Sequence, residues 1–522
     1  MDHHGEALPI LSASAKKMNI DKLLSSPLPT YTTSVPGSFF WTKLAFWMCR
    51  RVSHVQFRTT SSSSAVALSR DGAGVMCCGW HTNGLMDPLG IFLQHPKEFV
   101  VGARHDLVTR PLLGWWTRKL AVQPVVRKAE LLRGGCTEEE ANHLNGRSLL
   151  ALSSGIAHGF GCVLFPEGTS HSESHMLRLK TGPIRTVLAA AALAKANDLP
   201  LPRLIPVGLH YRRREWFRTD QYIEFGEPIE LESDLVPHEL VEAVKTGDWV
   251  EPPAETVHLI KERLQSSLPL LTPNCATWSE YRALHLLGHI EARKNGHIIS
   301  TWQEEVLAAR KVRDALAMPQ GHHETPAPLQ GEAIKAASEA AELLEDYGLD
   351  GRDLNRNASG LRRASLLHVP KNLLRCTLFF VLFPFFLTSL GLQVLLGRLL
   401  GDDTDEGLDA RTSYQFLAAF FGSILIWPAM ALVWTSAVWW YQDAIGQFLS
   451  LSPGWFVNMT GTMATSWLLF YVLCFPVFFA TGKAFAGFWD AWVDLKKTIS
   501  RRRMKKKDRE KLHHILLELQ SS

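Results

Sequence analysis

Residues 75–88 read Val75-Met76-Cys77-Cys78-Gly79-Trp80-His81-Thr82-Asn83-Gly84-Leu85-Met86-Asp87-Pro88, and their reading decides the fold class. Val75 to Cys78 is a short apolar run of the kind a buried strand makes. Asn83-Gly84 is a turn dipeptide. Asp87-Pro88 is a helix start, with Asp87 as N-cap and Pro88 at the first helical position. A buried strand that turns into a helix opens an α/β unit. His81 and Asp87 stand six residues apart, so they do not share one helix face, but a turn between them can bring the two side chains together. A carboxylate bonded to one imidazole nitrogen fixes the tautomer and raises the basicity of the other. Such a pair can take a proton from an alcohol as it attacks a carbonyl. The same residues also admit a plain structural reading, in which Asp87 caps a helix and His81 fills a strand end.

Outward from this stretch, from about Ser63 to Ile229, short apolar runs alternate with turns and helical stretches. Gly161 to Phe165, Leu204 to Leu209 and Tyr222 to Phe225 read as further strands, and Thr186 to Ala196 (TVLAAAALAKA) as a helix. The strand at Gly161 runs into Pro166-Glu167-Gly168-Thr169-Ser170-His171, followed by Arg178, Lys180 and Thr181. A glycine turn with hydroxyls and cations nearby suits a phosphate. Taken alone it is also an ordinary surface turn.

The two motifs stand in order, about eighty residues apart, each after a strand. In this they resemble the glycerolipid acyltransferase superfamily, which carries a His-Asp motif and then a Phe-Pro-Glu-Gly block. His81 and Asp87 match the first in its longer spacing, and Phe165 to Gly168 match the second. Val100 to Arg104 through Gln123 to Arg127 looks like a further block of that family, and Ile205 to Tyr211 like its late apolar block. The run from Gly208 to Ile229 looks closest to the fungal-type branch, which acylates glycerol 3-phosphate or dihydroxyacetone phosphate. The resemblance covers roughly residues 63 to 230. It implies an acyl-CoA-dependent enzyme in which His81 is the general base and Asp87 orients it. Glu167 and Gly168 then shape the acceptor pocket, and Arg127, Arg178 and Lys180 hold phosphates. Asn83, Arg104, Thr169, Ser170 and His171 complete the expected substrate-binding set. Relatives acting on lysophosphatidate often carry Arg where Ser170 stands, which moves the anion contact elsewhere.

The flanks differ from this domain. Residues 1–36 are rich in Ser, Pro and Thr and are expected to be poorly ordered. Phe39 to Met48, within an expected segment 37–62, is aromatic but too short for a span that needs about twenty residues, so an interfacial or re-entrant helix is expected, with a core helix as the alternative. Residues 231–368 read as charged and helical, with a flexible Pro/Gly/His-rich loop near 318–330. Residues 369–495 hold three long apolar runs, Leu373–Leu396, Phe416–Trp440 and Trp455–Thr481. A basic tail, 496–522, is expected to face the cytosol and anionic headgroups. Arg362, Arg363, Lys371 and Arg375 precede the first run and favour the same side. Three full spans would place the two basic clusters on opposite sides, so one run is expected to be re-entrant or half-spanning, with Pro384, Pro428 and Pro476 as candidate breaks. The fold expected is thus an α/β acyltransferase domain with an appended helical region and a C-terminal transmembrane helical domain.

Net charge is only +4 over 522 residues, which argues against a nucleic-acid binder. The eight cysteines form no C-x-x-C pair, and the His3-His4, His322-His323 and His513-His514 pairs lack partner spacing, so no metal site and no cofactor are expected. The partners expected are acyl-CoA as co-substrate, glycerol 3-phosphate or dihydroxyacetone phosphate, and membrane lipids. The first thirty residues lack a secretory pattern, and the resemblance implies the endoplasmic reticulum membrane with a cytosol-facing site. The activity it implies is acylation of the sn-1 hydroxyl of glycerol 3-phosphate. A 1-acylglycerol-3-phosphate acyltransferase and a membrane lipid-binding protein without catalysis are the competing readings. The sequence carries no signal of oligomeric state.

Overall fold

The computed structural model describes residues 18–63, 72–126, 136–316, 326–363, 369–402 and 408–521. Its centre is a seven-stranded mixed sheet built from β1 (Phe57–Ser62), β2 (Val75–Gly79), β3 (Phe99–Val100), β6 (Gly161–Val163), β7 (Arg203–Tyr211), β8 (Thr219–Phe225) and β9 (Ile229–Glu230). The order is β1-β8-β7-β2-β6-β3, with β9 paired to β7. A separate parallel pair joins β4 (Gly102–Arg104) to β5 (Gln123–Val125). β2 lies parallel to β6 on one side and to β7 on the other. β8 returns antiparallel to β7.

The period-two alternation of β2 divides it between two cores. Met76 and Cys78 face the helices Glu138–Ala157 and Gly182–Ala196. Val75 and Cys77 face the opposite layer, which holds Ala45 and Met48 of the Phe39–Gln56 helix and Phe416 and Phe420 of an apolar C-terminal helix. Both faces of the sheet are therefore covered, as parallel strands require. The Glu138–Ala157 helix opens on a reciprocal cap in which the Thr137 hydroxyl and the Glu140 carboxylate each accept a backbone N–H of the other.

Three helices are long and apolar enough to cross a membrane by length and composition: Phe383–Asp402, Arg411–Trp440 and Met463–Arg503. They correspond to the three apolar runs, with two differences. The first run bends, because the helix Val369–Val381 stops before Leu382 and Pro384, and the chain passes through a π turn, Leu387–Gly391. Pro428 and Pro476 by contrast lie inside continuous helices. The third run does not begin at Trp455. A separate short helix, Trp455–Asn458, occupies that position, and the long one starts at Met463 under the Thr462 cap, whose hydroxyl accepts the Thr465 N–H. Apolar composition hid this boundary, since a cap is set by one hydroxyl and not by hydropathy.

Other segments also differ from expectation. Within 1–36, residues 18–36 pack on the domain: Leu23 and Val35 are fully buried, and the Pro27 carbonyl accepts from Gln123. The aromatic stretch at Phe39 runs on as an eighteen-residue helix to Gln56. The basic run is not wholly a free tail. Lys497 and Arg501 donate to Asp350 and Asp353 of the helical region, and the Lys506–Ser521 helix buries Leu512, Leu516 and Leu519 against it. The loop near 318–330 falls mostly outside the described residues.

At about 1.5 Å per residue the 41-residue Met463–Arg503 helix extends some 60 Å, twice the hydrocarbon thickness. Its second half docks on the sheet domain. Arg218 holds Asp490 with two parallel hydrogen bonds, and Phe217 stacks on Phe485.

Candidate active site

β2 and β6 are adjacent and parallel, so their C-terminal ends open on the same edge of the sheet. That edge is where side chains from separate loops meet in an open α/β sheet. It brings the loop after β2, with His81, against the loop after β6, with Glu167. The His171 N–H donates to the His81 carbonyl (3.1 Å), which ties the two loops backbone to backbone.

His81 Nδ1 lies 2.9 Å from Asp87 Oδ2. The same oxygen accepts the backbone N–H groups of Thr82 (2.8 Å) and Asn83 (2.7 Å). Asp87 therefore does not cap the following helix. That helix, Met86–Gln94, already includes Asp87, and the carboxylate reaches back to the turn before it. The reason is geometric: Asn83-Gly84, with Gly84 at φ +41°, folds the preceding N–H groups toward the first helical turn. Asp87 is fully buried. A carboxylate that takes two N–H donors has only acceptor capacity for the ring. Nδ1 thus carries the proton, and the Nε2 lone pair is left outward. Among the described residues none bonds to Nε2. Phe165 stacks beneath the ring at 3.9 Å between centroids, nearly parallel, and fixes its plane. Tyr211 stands beside Asp87, and burial together with that carboxylate pushes its phenol well above the ordinary range.

Glu167 is buried and fully occupied. One carboxylate oxygen accepts the His81 N–H (2.9 Å), and the other accepts the Leu177 N–H (2.8 Å) and the His171 Nε2–H (2.9 Å). It is a brace under the His81 loop and not a turn residue facing solvent. Gly168 sits at φ +75°, and a Cβ there would come within 3.1 Å of the Lys180 side chain, so glycine is required. The Thr169 hydroxyl donates to the Ser170 carbonyl, and Ser170 is half-buried in the same turn. Lys180 is exposed beside Gly168, and Arg178, two residues before it, is exposed too.

Besides Glu167 and His171, two more of the residues expected to bind substrate are otherwise engaged. The Asn83 amide donates to the Arg214 carbonyl and accepts from the Thr412 hydroxyl. Arg104, on β4, donates to Asp106, which Arg110 also holds. Although burial opposes it, these guanidinium groups keep Asp106 below its ordinary range. Arg127 lies outside the described residues.

The sequence reading passed over several residues that build the site. Phe165 entered it only as part of a motif, and its stacking role needed the fold. Arg214 donates to the carbonyls of Thr82 (3.1 Å) and His171 (2.9 Å), one in each loop. Its signal was present in the triple Arg212-Arg213-Arg214. Ser413, near the start of the second apolar helix, accepts the Leu85 N–H (2.9 Å), and Thr412 reaches Asn83. The second apolar helix thus holds the turn that carries His81, which no local pattern announces.

This arrangement can deprotonate a hydroxyl at His81 Nε2, with Asp87 offsetting the charge that develops on the ring. Among the described residues no cluster of His, Cys, Asp and Glu is placed to hold a metal.

Residues 65–208 match the family model described as Acyltransferase. The chain is 31% identical over 147 residues to Glycerol-3-phosphate O-acyltransferase 2 of Saccharomyces cerevisiae, covering 28% of this chain and 18% of that protein. It is 35% identical over 81 residues to Glycerol-3-phosphate O-acyltransferase 1 of the same yeast, covering 16% of this chain and 10% of that protein. The chain therefore spans less than a fifth of the length of these relatives. A solved 1-acyl-sn-glycerophosphate acyltransferase from Thermotoga maritima aligns at 16% identity and a TM-score of 0.27, over 42% of this chain and 79% of that one.

Proposed function

We propose, from the premise that residues 65–208 place this chain in the glycerolipid acyltransferase superfamily, close to the fungal glycerol-3-phosphate acyltransferases, that it transfers a fatty acyl group from acyl-CoA to the sn-1 hydroxyl of glycerol 3-phosphate. The observation that carries this reading is the His81–Asp87 pair with its Nε2 left open. His81 Nε2 takes the proton of the acceptor hydroxyl as its oxygen attacks the thioester carbonyl. The resulting imidazolium is held by the buried Asp87. The tetrahedral adduct collapses by breaking the carbon–sulfur bond. The thiolate of coenzyme A leaves with the electron pair and takes back the proton from His81. The products are lysophosphatidate and free coenzyme A, and no covalent acyl-enzyme is needed because a thiolate is a competent leaving group.

Lys180, exposed beside Gly168, and the exposed Arg178 two residues before it are the cations that meet a phosphate at this edge. Dihydroxyacetone phosphate presents the same phosphate and a hydroxyl at the same reach, so it is the second acceptor. The three apolar helices hold the enzyme in a membrane, and the resemblance to the fungal-type branch supports the endoplasmic reticulum.

Purified His81→Ala protein is expected to acylate glycerol 3-phosphate at least about a hundredfold more slowly than the parent. Activity retained within tenfold would remove His81 from the role of base. Parallel assays with dihydroxyacetone phosphate and lysophosphatidate rank the acceptors.

A further inference from the structure

One cavity among the described residues, of about 1150 Å³, is lined by neither His81 nor Asp87. It lies where the Arg212–Thr219 turn, the helical region and the apolar C-terminal helices meet. Only Trp80 and Thr82 of the catalytic loop reach it. It is larger than the roughly 300–1,000 Å³ of ordinary small-molecule sites.

Its walls are of two kinds. Val394, Ala419, Trp427, Phe478 and Phe485 of the apolar helices line one part. Val394, on the cavity wall, is 47% exposed, and the wall it belongs to is formed by the helices long and apolar enough to cross a membrane. Cations line the other part, and they outnumber their carboxylates. Arg213 and Arg282 share the single Glu345. Arg398 and Arg411 share the single Asp402. Arg51 rests on the rings of Trp47 and Phe479, and Lys496 on that of Trp492, with no carboxylate partner among the described residues. A chamber with an alkyl-lined wall and a cationic wall matches an amphiphile with an anionic head.

We propose that this cavity binds an anionic glycerophospholipid drawn sideways from the membrane, its phosphate held by the surplus cations and its chains laid along the apolar helices. The occupant does not react, because His81 is not on the wall. An acyl-CoA delivering its thioester would have to place it there. The site is also built mainly from residues beyond 65–208, and so it is distinct from the matched acyltransferase segment.

The test uses the full chain, purified in detergent and returned to nanodiscs of phosphatidylcholine containing a tenth phosphatidate. Lipid retained by the protein is measured by native mass spectrometry. Phosphatidate is expected to be retained at least about tenfold over its share of the bilayer, since each cation near a headgroup contributes appreciably. The double variant Arg51→Gln/Lys496→Gln, which leaves the catalytic loops untouched, is expected to lose that enrichment with an unchanged thermal midpoint. Retention of the two lipids in proportion to their abundance would overturn the proposal, as would unchanged enrichment in the double variant. Competition on the parent protein guards against a variant that misfolds. Displacement of phosphatidate by millimolar inorganic phosphate would make this a soluble-anion site, and stoichiometric displacement by palmitoyl-CoA would make it the donor site. Either result refutes the lipid assignment. Because binding is read directly, a chain that binds phosphatidate but acylates nothing would sink the proposed activity and leave this site standing.

Discussion

Replacing Asp87 by Asn isolates charge from shape. The carboxylate oxygen Oδ2 serves three donors at 2.7–2.9 Å, two of them backbone N–H groups of the catalytic turn. Asp87→Ala would strand all three in a buried site, at about 1–3 kcal/mol each, and would confuse folding with chemistry. An asparagine keeps one carbonyl oxygen for those donors and removes the negative charge. In the parent, the imidazolium formed during proton transfer faces that charge at hydrogen-bond distance. At an effective dielectric of about 20 such a pair contributes about 4 kcal/mol. The neutral amide dipole retains a part of this, so the expected loss is about 3–4 kcal/mol, or a few hundred- to a thousandfold in kcat. KM for both substrates should stay within about threefold, since Asp87 is buried and touches neither. The assay is initial-rate acylation of labelled glycerol 3-phosphate by the purified protein in nanodiscs, with the thermal midpoint measured alongside. A well-folded Asp87→Asn protein with kcat within tenfold of the parent would refute the orienting and charge-balancing role.

Two further outcomes follow from the Glu167 brace and from a buried cluster in which His210 faces Glu224, His285 faces Glu305, and Arg310 and Arg212 pair with these two carboxylates. Glu167→Gln replaces one acceptor oxygen by an NH2 group, which must then face the N–H of His81 or that of Leu177. The unpaired donors should cost about 1–3 kcal/mol, lowering the thermal midpoint and kcat together; a variant indistinguishable from the parent in both would mean that the brace is dispensable. Stability should also fall with acid in two stages. Burial holds His210 and His285 below the ordinary histidine range, so below about pH 6.5 the unfolded chain takes up their protons first and each group costs up to about 1.4 kcal/mol per pH unit. Against the opposing effect of burial, Arg310 and His210 hold Glu224 at about 2, and Arg212 and His285 hold Glu305 well below its ordinary range. What these carboxylates contribute is present above about pH 4.3 and is lost as pH falls toward 2. Denaturation midpoints measured from pH 8 to pH 3 that stay flat between 6.5 and 5 would contradict the histidine part.

The reach of sequence reasoning can be traced residue by residue. Val75 to Cys78 announced a buried strand, and it is one, because an apolar run of that length has few other stable homes. The helix expected at Thr186–Ala196 was legible from its Ala- and Leu-rich propensity, and it extends back only to Gly182. The pairing of His81 with Asp87 was open to two readings until the turn at Gly84 aimed both side chains at each other. The placement of Asp87 as the N-cap was wrong by two residues, since the pattern Asp-Pro marks a helix start without saying which N–H groups the carboxylate will find. Glu167 read as a turn residue carries no mark of the three donors that meet it, as they come from Leu177, His171 and His81.

The order of apolar and polar residues along the chain was enough to determine a buried strand, a helix after it, three long apolar runs and an imidazole six residues from a carboxylate. Those are local properties, set by period, length and turn chemistry. What only the tertiary structure decided was everything that joins distant parts. It brought the β2 and β6 loops to one sheet edge, set Thr412 and Ser413 of an apolar helix against the His81 turn, and fixed the second half of the Met463–Arg503 helix to Arg218. Contacts between residues hundreds of positions apart depend on sheet order and helix packing, and neither is written in the spacing of neighbouring residues.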